Sequence, residues 1–97
     1  MNKSNSEWHI QEAFLQMLEE NHLKEKYIEY KIYAMWGDFI GKPIMKYTTK
    51  LHFKNKKLYV YINSPIVKNE LRMLRSEILE NIQLKIGKNY IDDVIIR

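Results

Sequence analysis

The sequence predicts a small α+β domain in which helices cover one face of a three-stranded β-sheet. Three observations lead to this class. Apolar residues recur at helical spacing through the first 40 residues, they alternate with polar residues between positions 49 and 62, and a capped amphipathic segment starts at Ser64. An apolar run near Arg97 supplies the last strand. The predicted order of elements is therefore α-α-β-β-α-β, with the second face of the sheet open.

Length and composition favour one compact domain over residues 1–97. The chain has 97 residues, of which 45% are hydrophobic and 12% aromatic, enough for a single core. We divide it into an N-terminal helix, residues 1–22, and a core, residues 23–97. Cysteine is absent, which excludes disulfides and thiolate metal sites. No segment reaches the ~20 apolar residues that cross a bilayer, so we expect a cytoplasmic protein that binds no membrane.

Two N-terminal helices are predicted from apolar residues spaced three or four positions apart. The first covers about residues 6–22, with Ser4 or Ser6 as its N-cap. The second covers about residues 24–40, and Gly41 ends it because glycine suits the position after a helix.

The segment YTTKLHFKNKKLYVYIN is the clearest β signal in the chain. Its alternation is interrupted only at Asn55-Lys56, which predicts two antiparallel strands joined by a two-residue turn. The predicted inner pairs are Phe53 with Leu58, Leu51 with Val60 and Thr49 with Ile62. The predicted outer pairs are His52 with Tyr59, Lys50 with Tyr61 and Lys54 with Lys57.

The outer face of this hairpin combines cations with two aromatic rings. Proteins that bind single-stranded nucleic acid use the same combination, because rings stack on bases while cations follow phosphates. The alternative is that Tyr59 and Tyr61 are strand formers covered by a helix or by a second subunit. Taken alone, the tyrosines do not decide between the two.

The segment after the hairpin is predicted to form one helix from Ser64 to about Gly87. Ser64 is a suitable N-cap, and Pro65 occupies the first helical position. At about 100° per residue its cations form a row beside the apolar stripe, and its glutamates lie on the far side. The row consists of Lys68, Arg72, Arg75 and Lys85. The alternative is that these long side chains only cover the margin of the core.

Charge is distributed unevenly along the chain. Residues 1–40 carry four lysines against seven acidic residues, a net charge of −3, and residues 41–97 carry twelve Lys and Arg against five acidic residues, a net charge of +7. A basic half of this kind attracts polyanions such as nucleic acid, although it also serves solubility. The candidate nucleic-acid-binding residues are Lys50, Lys54, Lys56, Lys57, Tyr59, Tyr61, Lys68, Arg72 and Arg75.

A diffuse set of core and turn positions resembles the DciA family, over residues from about Ile10 to Arg97. The residues that carry the likeness are WGDFIGKPI (36–44), LYV (58–60), Ser64 to Leu71, Ile78-Leu79, Asn81-Ile82, Gly87 and VIIR (94–97). The resemblance implies a K-homology-like domain that binds single- or double-stranded DNA. It also implies a role in replication, in which the protein helps the replicative DNA helicase to load on or engage single strands.

The sequence departs from that family in two respects. Many members continue into a basic, flexible tail, whereas this chain ends at Arg97. The GxxG loop of K-homology modules is also missing, since Gly37 and Gly41 form a GxxxG spacing at a helix end. We expect the basic residues to bind DNA. The N-terminal helices, with Glu12 and the neighbouring Glu19 and Glu20 exposed, would then be available to the helicase.

Two other functions fit the same residues. The domain could bind RNA as a K-homology-like module, or act as a non-catalytic adaptor whose basic surface meets an acidic protein.

Catalysis is not expected. The histidines His9, His22 and His52 fall in different predicted elements, and neither an HExxH motif nor a Gly-rich phosphate loop occurs. Adjacent Asp92 and Asp93 would point to opposite faces of a strand and so could not share a metal ion. The sequence therefore indicates no enzyme, no metal site and no cofactor.

Overall fold

The computed structural model describes the backbone of residues 3–97 and the side chains of Ile10 and of residues 12–97. The described part of the chain contains five helices and one three-stranded sheet, which confirms the α+β class. The elements are α1 (Lys3–Glu20), α2 (Lys24–Ile40), α3 (Lys42–Met45), β1 (Thr48–Lys54), β2 (Lys57–Ile62), α4 (Pro65–Met73), α5 (Arg75–Ile86) and β3 (Asp93–Ile96).

The sheet is mixed, with β2 in the centre. β1 pairs with β2 in antiparallel orientation, and β3 joins the other side of β2 in parallel orientation. The predicted turn has two residues, and both Asn55 and Lys56 have positive φ, 53° and 63°, as a type I′ hairpin requires. Five of the six predicted cross-strand pairs are confirmed.

The sixth predicted pair, Thr49 with Ile62, is wrong, because β1 contains a β-bulge near its start. Thr48 lies opposite Ile62, and the register shifts between Thr48 and Lys50, which leaves Thr49 as the extra residue. Its hydroxyl donates instead to the carbonyl of Tyr61, at 3.2 Å. From Lys50 onward the residues of β1 keep their predicted partners, so Leu51 and Phe53 still face the core.

The hydrophobic core lies between the inner face of the sheet and the helices α2, α4 and α5. Leu58 and Val60, on the central strand, are fully buried, as are Ile32 of α2 and Ile82 of α5. Trp36 is also buried, and its indole N–H donates to the Thr48 hydroxyl at 3.0 Å. A buried tryptophan usually finds a partner for its indole N–H, and Thr48 is that partner for Trp36.

The N-terminal helices differ from expectation at their ends. α1 begins at Lys3, before both Ser4 and Ser6, so neither serine occupies the N-cap position. α2 has the predicted bounds, and Gly41 follows it with a φ of 88° that favours glycine. The short helix α3 was not predicted: it starts directly after Gly41 with Pro43 in its first turn, where proline is tolerated.

The predicted single helix after the hairpin is two helices. Ser64 is the N-cap, since its hydroxyl accepts the Val67 N–H at 3.4 Å, but α4 ends at Met73 and α5 begins at Arg75. A straight helix over residues 65–86 would be about 33 Å long. The six-residue strand β2 beneath it is only about 20 Å long. The turn at Leu74 lets both helices stay on the sheet.

Both free edges of the sheet are contacted by side chains from the helices. The Tyr33 hydroxyl donates to the carbonyl of Leu51 in β1, and Arg72 Nη2 donates to the carbonyl of Ile96 in β3, at 3.4 Å. Partial burial, and secondly the Glu29 carboxylate, raise the pKa of Tyr33 above its usual value. Such contacts protect exposed edges from pairing with another chain.

The helix α5 offers a direct test of this core. Replacing the fully buried Ile82 by Ala should lower the free energy of unfolding by about 2–5 kcal/mol, because it leaves a cavity against the sheet. Leu84→Ala is the matched control, since Leu84 is 79% exposed on the same helix, and should change it by less than about 0.5 kcal/mol. Urea unfolding followed by circular dichroism measures both. Equal losses would contradict the assigned packing.

Candidate nucleic-acid interface

The outer face of the sheet carries the cations and rings that the sequence placed there. The pairs Lys50 with Tyr61 and Lys54 with Lys57 lie side by side across β1 and β2. All three lysines are exposed, whereas Tyr59 and Tyr61 are half-buried. Among the described residues, the helices that cover the sheet lie on the opposite face. Within the monomer, the tyrosines are therefore not covered by a helix.

Cations lie over both tyrosine rings. Lys50 Nζ is 5.6 Å from the centroid of the Tyr61 ring, and the Arg97 guanidinium carbon is 5.3 Å from that of Tyr59. The His52 ring lies 6.0 Å from the Tyr59 ring. The face thus combines π surfaces with positive charge at cation–π distances, an arrangement that can stack on a base and contact its phosphate.

Arg97 was not among the predicted site residues. Its position could have been found from the alternation of β3, in which the buried Val94 and Ile96 send Ile95 and Arg97 to the other face. The backbone confirms that Arg97 continues the ladder, since its N–H donates to the Val60 carbonyl at 2.7 Å.

The predicted basic row is only partly brought together, because the turn at Leu74 interrupts it. Lys68 and Arg72 remain four residues apart on α4. Arg72 reaches the carbonyl of Ile96, and Arg75 Nη1 lies 3.9 Å from a carboxylate oxygen of Asp93. The two arginines therefore lie along the free edge of β3, which adjoins the outer face through Arg97.

Lys85 does not belong to this row. It lies on α5 beyond the turn, where it lines a cavity with Asp38 and Met35 of α2. The expectation of one continuous four-residue row is wrong, because the single helix that was to carry it is interrupted at Leu74.

Lys56 occupies a different environment from the other lysines of the hairpin. It lies in the turn and lines a cavity of about 460 Å³ together with Glu19 and Glu25. Glu25 also accepts the N–H of Asn55 at 3.4 Å. Lys24 lines the same cavity and pairs with Glu19 at 3.3 Å, so Glu25 is left to lower the positive potential around Lys56. Lys56 therefore contributes less than Lys50 to an anion-binding face.

The N-terminal helix presents a separate surface. Glu12, Glu19 and Glu20 are exposed, and Glu19 pairs with Lys24 at 3.3 Å. The apolar residues whose spacing predicts this helix are mostly exposed as well. Ile10 is 69%, Phe14 43% and Met17 47% exposed, while Leu18 is buried. Phe14 contacts Tyr27 of α2 edge-on, with ring centroids 5.3 Å apart. α1 therefore combines carboxylates with an exposed apolar stripe, and this stripe contributes little to the core.

The described residues offer no arrangement for metal chemistry. No three His, Asp or Glu side chains among them lie close enough to hold a metal ion. No helix in the same part of the chain is both long and apolar enough to span a bilayer.

Comparison with known proteins identifies a family match. A protein-family model described as "Dna[CI] antecedent, DciA" matches residues 9–96, nearly the whole chain. No curated protein and no solved structure matches.

Proposed function

The chain belongs to the DciA family, as its resemblance predicted, and we propose that it binds single-stranded DNA while it contacts the replicative helicase. Membership of this family gives the protein a helicase-associated role in DNA replication. The DNA-binding and loading activity, and the residues that perform it, are the proposal. The observation that carries it is the open sheet face, where Lys50 and Arg97 lie over the rings of Tyr61 and Tyr59.

The proposed DNA path crosses the sheet face and continues along the β3 edge. Bases would stack on Tyr59 and Tyr61, and phosphates would contact the lysines of the hairpin and the arginines beside β3. K-homology modules clamp the nucleotide backbone with a GxxG loop, which this chain lacks. We infer that Arg72 and Arg75, on either side of the turn at Leu74, supply the corresponding phosphate contacts.

The helicase contact is assigned to α1. Its carboxylates and its exposed residues Ile10, Phe14 and Met17 lie apart from the basic surface in sequence, and the acidic half of the chain would repel DNA. An exposed apolar stripe on a helix that contacts mainly α2 is typical of a protein-docking element. The single domain, with 1–22 as its N-terminal helix and 23–97 as its core, would then present one surface to each partner.

The first test measures the salt dependence of DNA binding. Each phosphate contact releases counterions, so about five contacts to a single strand should lower the affinity roughly 100-fold between 50 and 200 mM salt. Fluorescence anisotropy with labelled oligo-dT measures this, and oligo-rU of the same length separates DNA from RNA preference. An affinity that does not change with salt would rule out the electrostatic contacts. Tighter binding to oligo-rU would favour the RNA alternative.

The second test concerns the arginines at the β3 edge. Replacing Lys68, Arg72 and Arg75 together by Ser should weaken binding at least about tenfold and reduce the salt slope by about 2. The control variant replaces three exposed lysines elsewhere, so that the net charge is the same. These lysines are Lys26, Lys42 and Lys88. If both variants lose the same affinity, only net charge matters and the proposed DNA path is wrong. Cooperative unfolding of both variants checks that each remains folded.

The third test separates the two surfaces. Tyr59→Ser with Tyr61→Ser should remove stacking worth about 1–3 kcal/mol per base and leave helicase binding intact. Replacing Glu12, Glu19 and Glu20 by Lys should instead weaken helicase binding and leave DNA binding intact. DNA binding and helicase binding are measured separately for each variant. The two-surface assignment fails if both variants lose the same activity, or if neither loses any.

A further inference from the structure

A groove runs along the seam between α2 and α5, on the helical side of the molecule. It consists of two adjoining cavities of about 250 and 350 Å³, and Phe39 and Asn81 line both of them. The first cavity is bounded by apolar residues of α4, α3 and α2, and by Leu74 at the turn between α4 and α5. Its lining comes entirely from the helical layer, so the groove lies opposite the open face of the sheet.

Large aliphatic side chains lie exposed at the two ends of this groove. Leu74 is 43% exposed at one end, and Leu84 is 79% exposed at the other. They are ten residues apart along α5 and its N-cap, which corresponds to about 15 Å, or roughly three helical turns. Such a length, with apolar positions at each end, matches the footprint of a short amphipathic helix laid into a groove.

The charges around the groove are predominantly negative, although this half of the chain is basic. Glu70 and Glu77 line the first cavity, and Asp38 lines the second. All three are exposed, and none belongs to an ion pair among the described side chains. Lys85 is the cation that lines the groove, at its Leu84 end. Carboxylates beside an apolar floor favour a ligand with apolar anchors and cationic flanks.

We propose that this groove binds an amphipathic helix of a protein partner, about three turns long, with a stripe of apolar residues flanked by Lys or Arg. Nucleic acid does not fit, because the carboxylates would repel its phosphates. A second copy of this chain does not fit either: its exposed amphipathic helix, α1, carries Glu12, Glu19 and Glu20, which have the same charge as the groove. This inference is independent of the DNA-binding proposal.

The test uses synthetic helical peptides of twelve residues with the ¹⁵N-labelled full chain. One peptide has Leu at helical spacing with Lys at the flanks, and a second has Glu in place of each Lys. We expect the Lys peptide to shift the amide resonances of residues around Leu74 and Leu84, and the Glu peptide to bind at least about tenfold more weakly. Shifts confined to α1 or to the sheet, or equal affinity of the two peptides, would overturn the proposal.

Matched variants locate the binding to the groove. Glu70→Lys with Glu77→Lys should weaken the Lys peptide at least about tenfold, whereas Glu80→Lys with Asp92→Lys changes the net charge equally at exposed positions outside the lining and should not. Leu84→Ser should weaken it too, without unfolding the domain, because that side chain is exposed. Equal losses in both charge variants would overturn the proposal, as would a dimer of the free protein that Leu84→Ser dissociates.

Discussion

Burial of the inner face of β2 is the constraint on which the rest of this structure depends. β2 is paired on both sides, and its residues Leu58 and Val60 are fully buried beneath the helices. Since side chains alternate along a strand, burying these residues directs Tyr59 and Tyr61 to the outer face. The parallel partner β3 obeys the same rule and brings Arg97 over Tyr59. The aromatic and cationic face is therefore a geometric consequence of forming the core.

The edges of the sheet connect the core to the candidate interface in a second way. Because the sheet has only three strands, two of them have a free edge, and side chains from α2 and α4 donate to carbonyls there. Arg72 is one of these donors. A guanidinium has five N–H groups, so one contact to Ile96 leaves others for a phosphate while the side chain is held in place. The same arginine can therefore protect an edge and belong to a binding surface.

The segregation of charge gives the small domain three distinct faces. The outer sheet face and the β3 edge are basic, α1 carries exposed carboxylates with an apolar stripe, and the groove between α2 and α5 is apolar with carboxylates beside it. A chain of 97 residues has little surface. Like charges that are grouped on one face cannot form ion pairs with one another. The three faces therefore differ from one another in charge and in exposed apolar side chains.

The sequence by itself determined the α+β class, the bounds of α2, the hairpin turn and the cap at Ser64. It also placed most outer-face residues, because periodicity, turn and capping signals involve residues only a few positions apart. Only the tertiary structure decided the bulge at Thr49, the break at Leu74 and the separation of Lys85 and Lys56 from the basic face. It also decided the exposure of the α1 stripe. Each of these depends on contacts between segments distant in the chain, such as the length of sheet that α4 and α5 must cover, and local spacing carries no information about them.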